Sequence, residues 1–179
     1  MRTKTNRRVL IVSAAALAVA LAGTWWVVFG HKRPPAAPVL GLKVTWPGPP
    51  EENLQANPGG GVERSYHATY VARSAGRVLL FSAFVDDFGV RAGELSPDDR
   101  LAASVTAFQK DEVSRTPIEH GPRRHPGFDI VSRRDGKVTR KLVVVAGSRV
   151  FTVSVTTSKE ELLEASEVKR FFESFAIEE

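Results

Sequence analysis

The sequence predicts an α+β protein in which an N-terminal transmembrane helix is followed by a central antiparallel sheet with helices packed on both sides. Three features support this fold class. Residues 9–29 form an uncharged apolar run, residues 40–46 and 62–73 alternate between apolar and polar side chains, and the carboxyl end has the spacing of an amphipathic helix. Apolar side chains recur every second residue in a half-buried strand and about every 3.6 residues in a helix.

Residues 9–29 are long enough to cross a membrane as a helix. These 21 residues would span roughly 31 Å at about 1.5 Å per residue, which matches a bilayer hydrocarbon core. Four Lys/Arg precede the run and two follow it closely, so the positive-inside rule favours a basic cytoplasmic tail (residues 1–8) and an extracytoplasmic domain. We therefore predict a single-pass signal anchor in the cell membrane.

A cleaved signal peptide is the alternative for the same segment. Ala20-Leu21-Ala22 has the small-x-small form of a cleavage site and follows a basic and then an apolar stretch. Cleavage there would leave Trp25 and Trp26 at an exposed new terminus, which favours the uncleaved anchor. Both interpretations send the following domain across the membrane.

The charge distribution argues against nucleic-acid binding. Of the 25 Lys/Arg, six lie in residues 1–38, which hold no acid, and 19 lie in residues 39–179 beside all 20 Asp/Glu. The net charge of +5 thus comes from the segments around the predicted anchor, and the domain lacks the basic surface that nucleic acids require. The chain has no cysteine, which excludes a thiol nucleophile and a thiolate metal site.

Residues 30–38 form a proline-rich linker, and residues 39–179 form the predicted α+β domain. The three prolines of the linker favour extended backbone, so the linker should act as a semi-rigid spacer. The domain is long enough to bury about two-thirds of its unfolded surface around one core.

Seven segments of the domain have the pattern of strands. In residues 62–73 the alternation predicts that Tyr66 and Ala68 face the core and that His67 faces solvent. Asp135-Gly136 and Gly147-Ser148 are tight-turn signals that make the last three segments an antiparallel meander. The predicted strands are residues 40–46, 62–73, 78–85, 116–119, 128–132, 138–146 and 150–156.

A first helix of the domain should begin at Ser96. Serine is a preferred N-cap and Pro97 suits the first helical position. The apolar stripe of this helix is Leu101, Val105 and Phe108, spaced at i, i+4 and i+7 to face the sheet.

A strongly amphipathic helix should close the domain after a start at Ser166. Its apolar positions fall at i, i+3, i+4 and i+7 and are Val168, Phe171, Phe172 and Phe175. Three phenylalanines on one helical stripe indicate core packing.

The order of strand, hairpin, helix, meander and closing helix resembles the PsbP-like domain family. Residues 126–155 (PGFDIVSRRDGKVTRKLVVVAGSRVFTVSV) and 167–175 (EVKRFFESF) are similar to the carboxyl half of its small bacterial members, and residues 42–48 (LKVTWPG) resemble their opening strand. The resemblance covers most of residues 40–177. It implies a central antiparallel sheet with helices against both sides. The family includes photosystem accessory proteins and a GTPase-binding group, and the shared motifs are packing motifs, so no binding residue transfers.

The sequence contains no nucleophile-elbow, zinc-protease or dinucleotide-binding motif. We therefore expect no catalytic residue, no cofactor and no metal. The function predicted is that of a membrane-anchored extracytoplasmic accessory module that binds a protein partner.

The alternative function is binding of a small anionic ligand or an anionic lipid headgroup. Residues 115–149 hold nine Lys/Arg and only three acids, and such a local excess can attract an anion. The charged outer face of a hairpin is the other interpretation of the same cluster. The candidate anion-binding or partner-binding residues are Arg123, Arg124, Arg133, Arg134 and Arg140.

Overall fold

The computed structural model describes residues 39–59, 61–74, 76–94, 96–106 and 109–178. The strands are β1 (Leu42–Lys43), β2 (Glu51–Gly59), β3 (Val62–Ser74), β4 (Arg77–Asp87), β5 (Glu112–His120), β6 (His125–Arg134), β7 (Lys137–Ala146), β8 (Arg149–Thr157) and β9 (Ala176–Ile177). The α-helices are α1 (Pro97–Thr106) and α2 (Ser166–Glu173), and short 3-10 helices cover Gly89–Glu94, Gln109–Asp111 and Glu160–Glu164.

Seven strands form one antiparallel sheet in the order β2-β3-β4-β8-β7-β6-β5. A separate two-stranded sheet pairs β1 with β9 and so joins the first described strand to the last. The predicted meander is confirmed as β6, β7 and β8. Its first turn holds Asp135 and Gly136 at φ angles of 49° and 70°, the left-handed conformation that a tight hairpin turn requires.

The alternation predicted for residues 62–73 is confirmed in β3. Tyr66 and Ala68 face the main core and are 5% and 0% exposed. His67 lies on the opposite face of the strand, as the period of two requires. It is half-buried rather than turned to solvent, because its ring stacks on Phe84 with a centroid distance of 4.0 Å.

The larger hydrophobic core lies on one face of β3, β4, β7 and β8. Phe171 and Phe172 of α2 pack into it and are 0% and 8% exposed, so their predicted burial is confirmed. A smaller core packs Leu101 and Val105 of α1 against β6, β7 and β8. Phe108, the third residue of the predicted stripe, lies outside the described residues.

The predicted start of α1 is confirmed. The backbone N–H of Asp99 donates a 3.1 Å hydrogen bond to Ser96 Oγ, and that hydroxyl donates in turn to Asp99 Oδ2 at 2.7 Å. A serine N-cap of this kind satisfies one of the four backbone donors that the first helical turn leaves unpaired.

The predicted sandwich, a sheet with helices packed on both sides, is wrong. The described chain is dominated by its seven-stranded sheet, and α1 and α2 have only 10 and 8 residues. Seven strands about 4.8 Å apart span roughly 29 Å, whereas a helix is only about 10 Å wide, so two short helices cannot form a layer on each side. β2, which is not among the seven predicted strands, widens the sheet and is exposed along all nine residues.

The transmembrane helix of the predicted fold class has no counterpart in the described chain. None of the helices between residues 39 and 178 combines the length and the apolar character that a membrane span needs. The longest has 10 residues, about 15 Å of the roughly 30 Å required. The predicted tail (1–8), anchor (9–29) and linker (30–38) lie outside the described residues.

Candidate functional site

A pocket of about 520 Å³ opens between the sheet and the 3-10 helix Glu160–Glu164. Three neighbouring strands, β5, β6 and β7, form one wall, and the 3-10 helix forms the other. The lining residues are Ser114, Thr116, Asp129, Val131, Arg140, Glu160, Glu161, Leu163 and Glu164. We call this space the hairpin pocket.

Strand register explains why the polar side chains of the three strands meet in the hairpin pocket. Thr116 pairs with Asp129 between β5 and β6, and Val131 pairs with Arg140 between β6 and β7. Paired residues in an antiparallel sheet point to the same face, and alternate residues of one strand share a face. The intervening Ile130 faces the other way and is buried in the smaller core, which fixes the register of β6.

Arg140 and Asp129 form the strongest polar contact of the hairpin pocket. Arg140 donates to Asp129 from Nη2 at 2.8 Å and from Nε at 3.2 Å, the two-pronged geometry that suits a guanidinium and a carboxylate. The Arg140 guanidinium also lies 5.0 Å from the ring centroid of Phe172, a cation–π distance. The hydrogen bond to Asp129 raises the pKa of Arg140 above its ordinary value, so its charge is held and neutralised within the protein.

The carboxylates of the 3-10 helix leave one negative charge without a partner. Glu160 forms an ion pair with Arg133, and Glu164 forms one with Lys169 at 3.0 Å. Hydrogen bonding from Lys169 lowers the pKa of Glu164 below its ordinary value. Glu161 is exposed and makes no hydrogen bond or ion pair within the part of the chain that the structure describes. The excess charge of the pocket therefore resides on Glu161.

Two groups of the hairpin pocket are held in their charged forms. In the hairpin pocket the pKa of Arg140 is raised and the pKa of Glu164 is lowered, and both changes favour the charged form. The pocket thus presents fixed charges and the hydroxyl groups of Ser114 and Thr116.

Two of the five predicted arginines approach the hairpin pocket. Arg140 lines it, and Arg133 reaches its rim through the ion pair with Glu160. Arg134 follows Arg133 in β6 and so faces the other side of the sheet. It forms ion pairs with Asp111 at 3.7 Å and with Asp135 at 3.5 Å.

The other two predicted arginines lie at the far end of β6. Arg123 and Arg124 belong to the turn at residues 121–124, and Arg124 forms an ion pair with Glu119. β6 has 10 residues, which separates its two ends by roughly 30 Å. The five arginines therefore do not converge on one ligand, and anion binding by the whole set stays a prediction.

The acidic side of the hairpin pocket was not predicted from the sequence. Asp129 could have been found, because the turn at residues 135–136 sets the register of the hairpin and brings residue 129 diagonally next to Arg140. The segment that carries Glu160 and Glu161 is not among the predicted elements. In the structure this segment is a 3-10 helix with Lys159 at the N-cap position and no side-chain cap, and both glutamates line the pocket.

Lys141 is a buried titratable residue that the sequence pattern did not indicate. It is 4% exposed on the central strand β7, and burial lowers its pKa to about 8. The nearby carboxylates of Glu112 and Asp111 oppose this effect. Lys141 faces away from the hairpin pocket and is enclosed, so a substrate cannot reach it in this conformation.

His120, near the β5–β6 turn, has a packing role. The His120 ring stacks on Phe175 at a centroid distance of 4.3 Å, and burial lowers the pKa of His120 below its ordinary value. Among the described residues, no group of three or more His, Asp or Glu side chains is arranged to hold a metal ion.

Comparisons with known proteins give little information on function. No protein-family model matches the chain, and no curated protein matches its sequence. A crystal structure of a protein of unknown function from Pseudomonas aeruginosa is similar, with 13% identity and a TM-score of 0.41 over 74% of this chain and 85% of that chain. A likeness at this level carries no functional argument, and the PsbP-like resemblance stays a prediction.

Proposed function

We propose that the protein is a non-catalytic binding module whose hairpin pocket accepts a positively charged side chain of a partner protein. The observation that carries this proposal is the charge of the lining, which holds four carboxylates and one guanidinium. That guanidinium, on Arg140, is already bound by Asp129. An incoming lysine or arginine would meet Glu161, the carboxylate that has no partner among the described residues.

The volume and the apolar lining of the hairpin pocket also suit a lysine or arginine side chain. Its volume of about 520 Å³ falls within the roughly 300–1,000 Å³ typical of ligand pockets. Val131 and Leu163 supply apolar surface within it. Lysine and arginine side chains combine an apolar stem with a charged head, so the stem can pack on these residues while the head contacts the glutamates.

An anionic ligand is less favoured at this place. To reach Arg140 or Arg133 it would have to displace Asp129 or Glu160, and each of these ion pairs is formed within the protein. Such a ligand would also approach the uncompensated charge of Glu161, which repels it.

A peptide titration tests the proposal. The full chain is titrated against a fluorescent peptide of about ten residues in which arginine and glycine alternate, and fluorescence anisotropy is recorded at several salt concentrations. We expect saturable binding that weakens as salt increases, because exposed charges are screened. The change Glu161→Gln should weaken binding about 2- to 5-fold, the effect of one exposed charge contact of roughly 0.5–1 kcal/mol.

Asp98→Asn is the matched control, since Asp98 is an exposed acid of α1 outside the hairpin pocket and the charge change is the same. It should leave the affinity for the arginine peptide unaltered. Equal affinities for wild type and Glu161→Gln would contradict the proposal. Tighter binding of a matched glutamate–glycine peptide would instead support the anionic-ligand alternative.

A further inference from the structure

β2 is an open edge of the seven-stranded sheet. Among the described residues it has β3 on one side and no strand on the other, and all nine of its residues are exposed. Leu54, in the middle of the strand, is 60% exposed. An edge of this kind presents unpaired backbone N–H and C=O groups that can bind another strand.

The two edges of the sheet differ in how well they are protected. β5, at the opposite edge, contains Pro117 and has a register break between Glu112 and Ser114. Charged side chains (lysine above all), proline and bulges are the usual devices that prevent pairing at an edge. β2 carries them only at its two ends, with Glu51 and Glu52 at its start and Pro58 beside the irregularity between Ala56 and Gly59 at its close. Residues 53–56 in its middle carry no charge, proline or bulge and pair with β3 in an unbroken register.

The sequence of β2 is complementary to itself when two copies run antiparallel about a two-fold axis at Leu54. In this register the two Leu54 side chains are opposite each other. Asn53 of one copy then faces Gln55 of the other, and Glu52 faces Ala56, so no carboxylate faces a carboxylate. Like charges directly opposite each other would destabilise such a pair, whereas apolar and amide pairs stabilise it.

The direction of the Leu54 side chain is also compatible with a sheet that continues from one copy of the chain into the other. Leu54 pairs with Tyr66 of β3 and so extends from the face that carries the main core. Pairing of two copies would bury the Leu54 side chains against each other on that face. Burial and the nearby carboxylate of Glu52 raise the pKa of Tyr66 to about 12, so Glu52 lies beside Tyr66 on this face.

We propose that β2 pairs with β2 of a second copy of this chain and joins the two sheets into one. The two-fold axis lies at Leu54, and the interface is distinct from the hairpin pocket on the far half of the sheet. Because identical strands meet at one axis, the contact closes after two copies and forms a dimer rather than a fibre.

Cross-linking at a single introduced thiol tests this register. The natural chain has no cysteine, so Leu54→Cys carries one reactive thiol, and Cβ atoms directly opposite in such a pair lie about 5 Å apart. A short bismaleimide should convert most of the full-length Leu54→Cys protein to a covalent dimer. Val71→Cys is the matched control, because Val71 is a 42% exposed residue of the neighbouring strand β3. Equal yields at the two positions, or no dimer at either, would overturn the proposal.

Sedimentation equilibrium of the uncross-linked protein gives a second readout. Leu54→Lys places two like charges at the axis and should raise the dimer dissociation constant at least about tenfold. At concentrations low enough for the wild type to be monomeric, its thermal unfolding should match that of the wild type, since residue 54 is exposed in the monomer and dimerisation no longer contributes to Tm. A purely monomeric wild type, or an unaltered dimer constant in Leu54→Lys, rejects self-pairing.

Discussion

Replacing Phe171 by alanine should lower the free energy of unfolding by about 3–5 kcal/mol, the usual cost of removing a phenylalanine ring from a packed core. The Phe171 side chain is 0% exposed. Its ring centroid lies 5.3 Å from that of Trp46, 5.1 Å from that of Phe81 and 5.7 Å from that of Phe172. The ring thus connects the chain before β2, the central strand β4 and the helix α2, and truncation leaves a cavity that all three border.

Urea unfolding of the full chain, followed by tryptophan fluorescence, measures this loss. Val78→Ala is the matched control because Val78 is 49% exposed on the same strand as Phe81, and a surface truncation should cost less than about 0.5 kcal/mol. In a domain of this size 1 kcal/mol corresponds to roughly 2–4 °C in Tm. A decrease of only about a degree for Phe171→Ala would show that α2 does not hold the core together.

Those parts of the fold that depend on neighbouring residues could be predicted from the sequence. Ser96 caps α1 and Asp135-Gly136 forms a tight turn because each requires only a few residues of local geometry. The alternation of apolar and polar residues alone shows which side chains of β3 face the core. β2 was missed because Leu54 is its only large apolar side chain. β2 is stabilised by backbone hydrogen bonds to β3. Because such pairing does not require alternating apolar residues, it gives no periodic pattern in the sequence.

The candidate site could be predicted only in part. Arg140 was proposed from the density of basic residues along the chain, but density in sequence does not say which face of a strand a residue occupies. Arg133 and Arg134 are neighbours in sequence and lie on opposite faces of β6. The position of Glu161 depends on how the segment after β8 folds back over the sheet. That path is set by long-range burial of Leu162 and Leu163, which no local pattern indicates.

Replacing Asp87 by alanine should lower the free energy of unfolding by about 2–4 kcal/mol at pH 7, because it removes one partner of a buried ion-pair network. Asp87 is 4% exposed at the end of β4. It accepts hydrogen bonds from Arg64 Nη2 at 2.6 Å and from Ser148 Oγ at 2.7 Å, and Arg149 Nε lies 3.6 Å from it. Without the carboxylate, Arg149, whose side chain is 30% exposed, would lose this ion pair and keep its hydrogen bond to the Leu40 carbonyl at 3.2 Å.

The pH dependence separates this electrostatic loss from simple loss of packing. Burial alone would raise the pKa of Asp87, but the hydrogen bonds from Ser148, Arg64 and the Gly89 N–H outweigh it and lower the pKa below its ordinary value. A carboxyl group with a lowered pKa stabilises the fold above its unfolded pKa, and this stability is lost as pH falls through the folded pKa. The difference between wild type and Asp87→Ala should therefore be largest at pH 7 and shrink below about pH 4.

The matched control for this pH series is Asp86→Ala, one residue away on β4. Asp86 accepts a single side-chain hydrogen bond, from Ser65 Oγ at 2.7 Å, so its removal should cost only about 1 kcal/mol. Urea unfolding of all three proteins between pH 7 and pH 3 gives the comparison. A penalty for Asp87→Ala that stays constant over this range would mean that the carboxylate contributes volume rather than charge, and that the Arg64–Asp87–Arg149 network does not stabilise the end of β4.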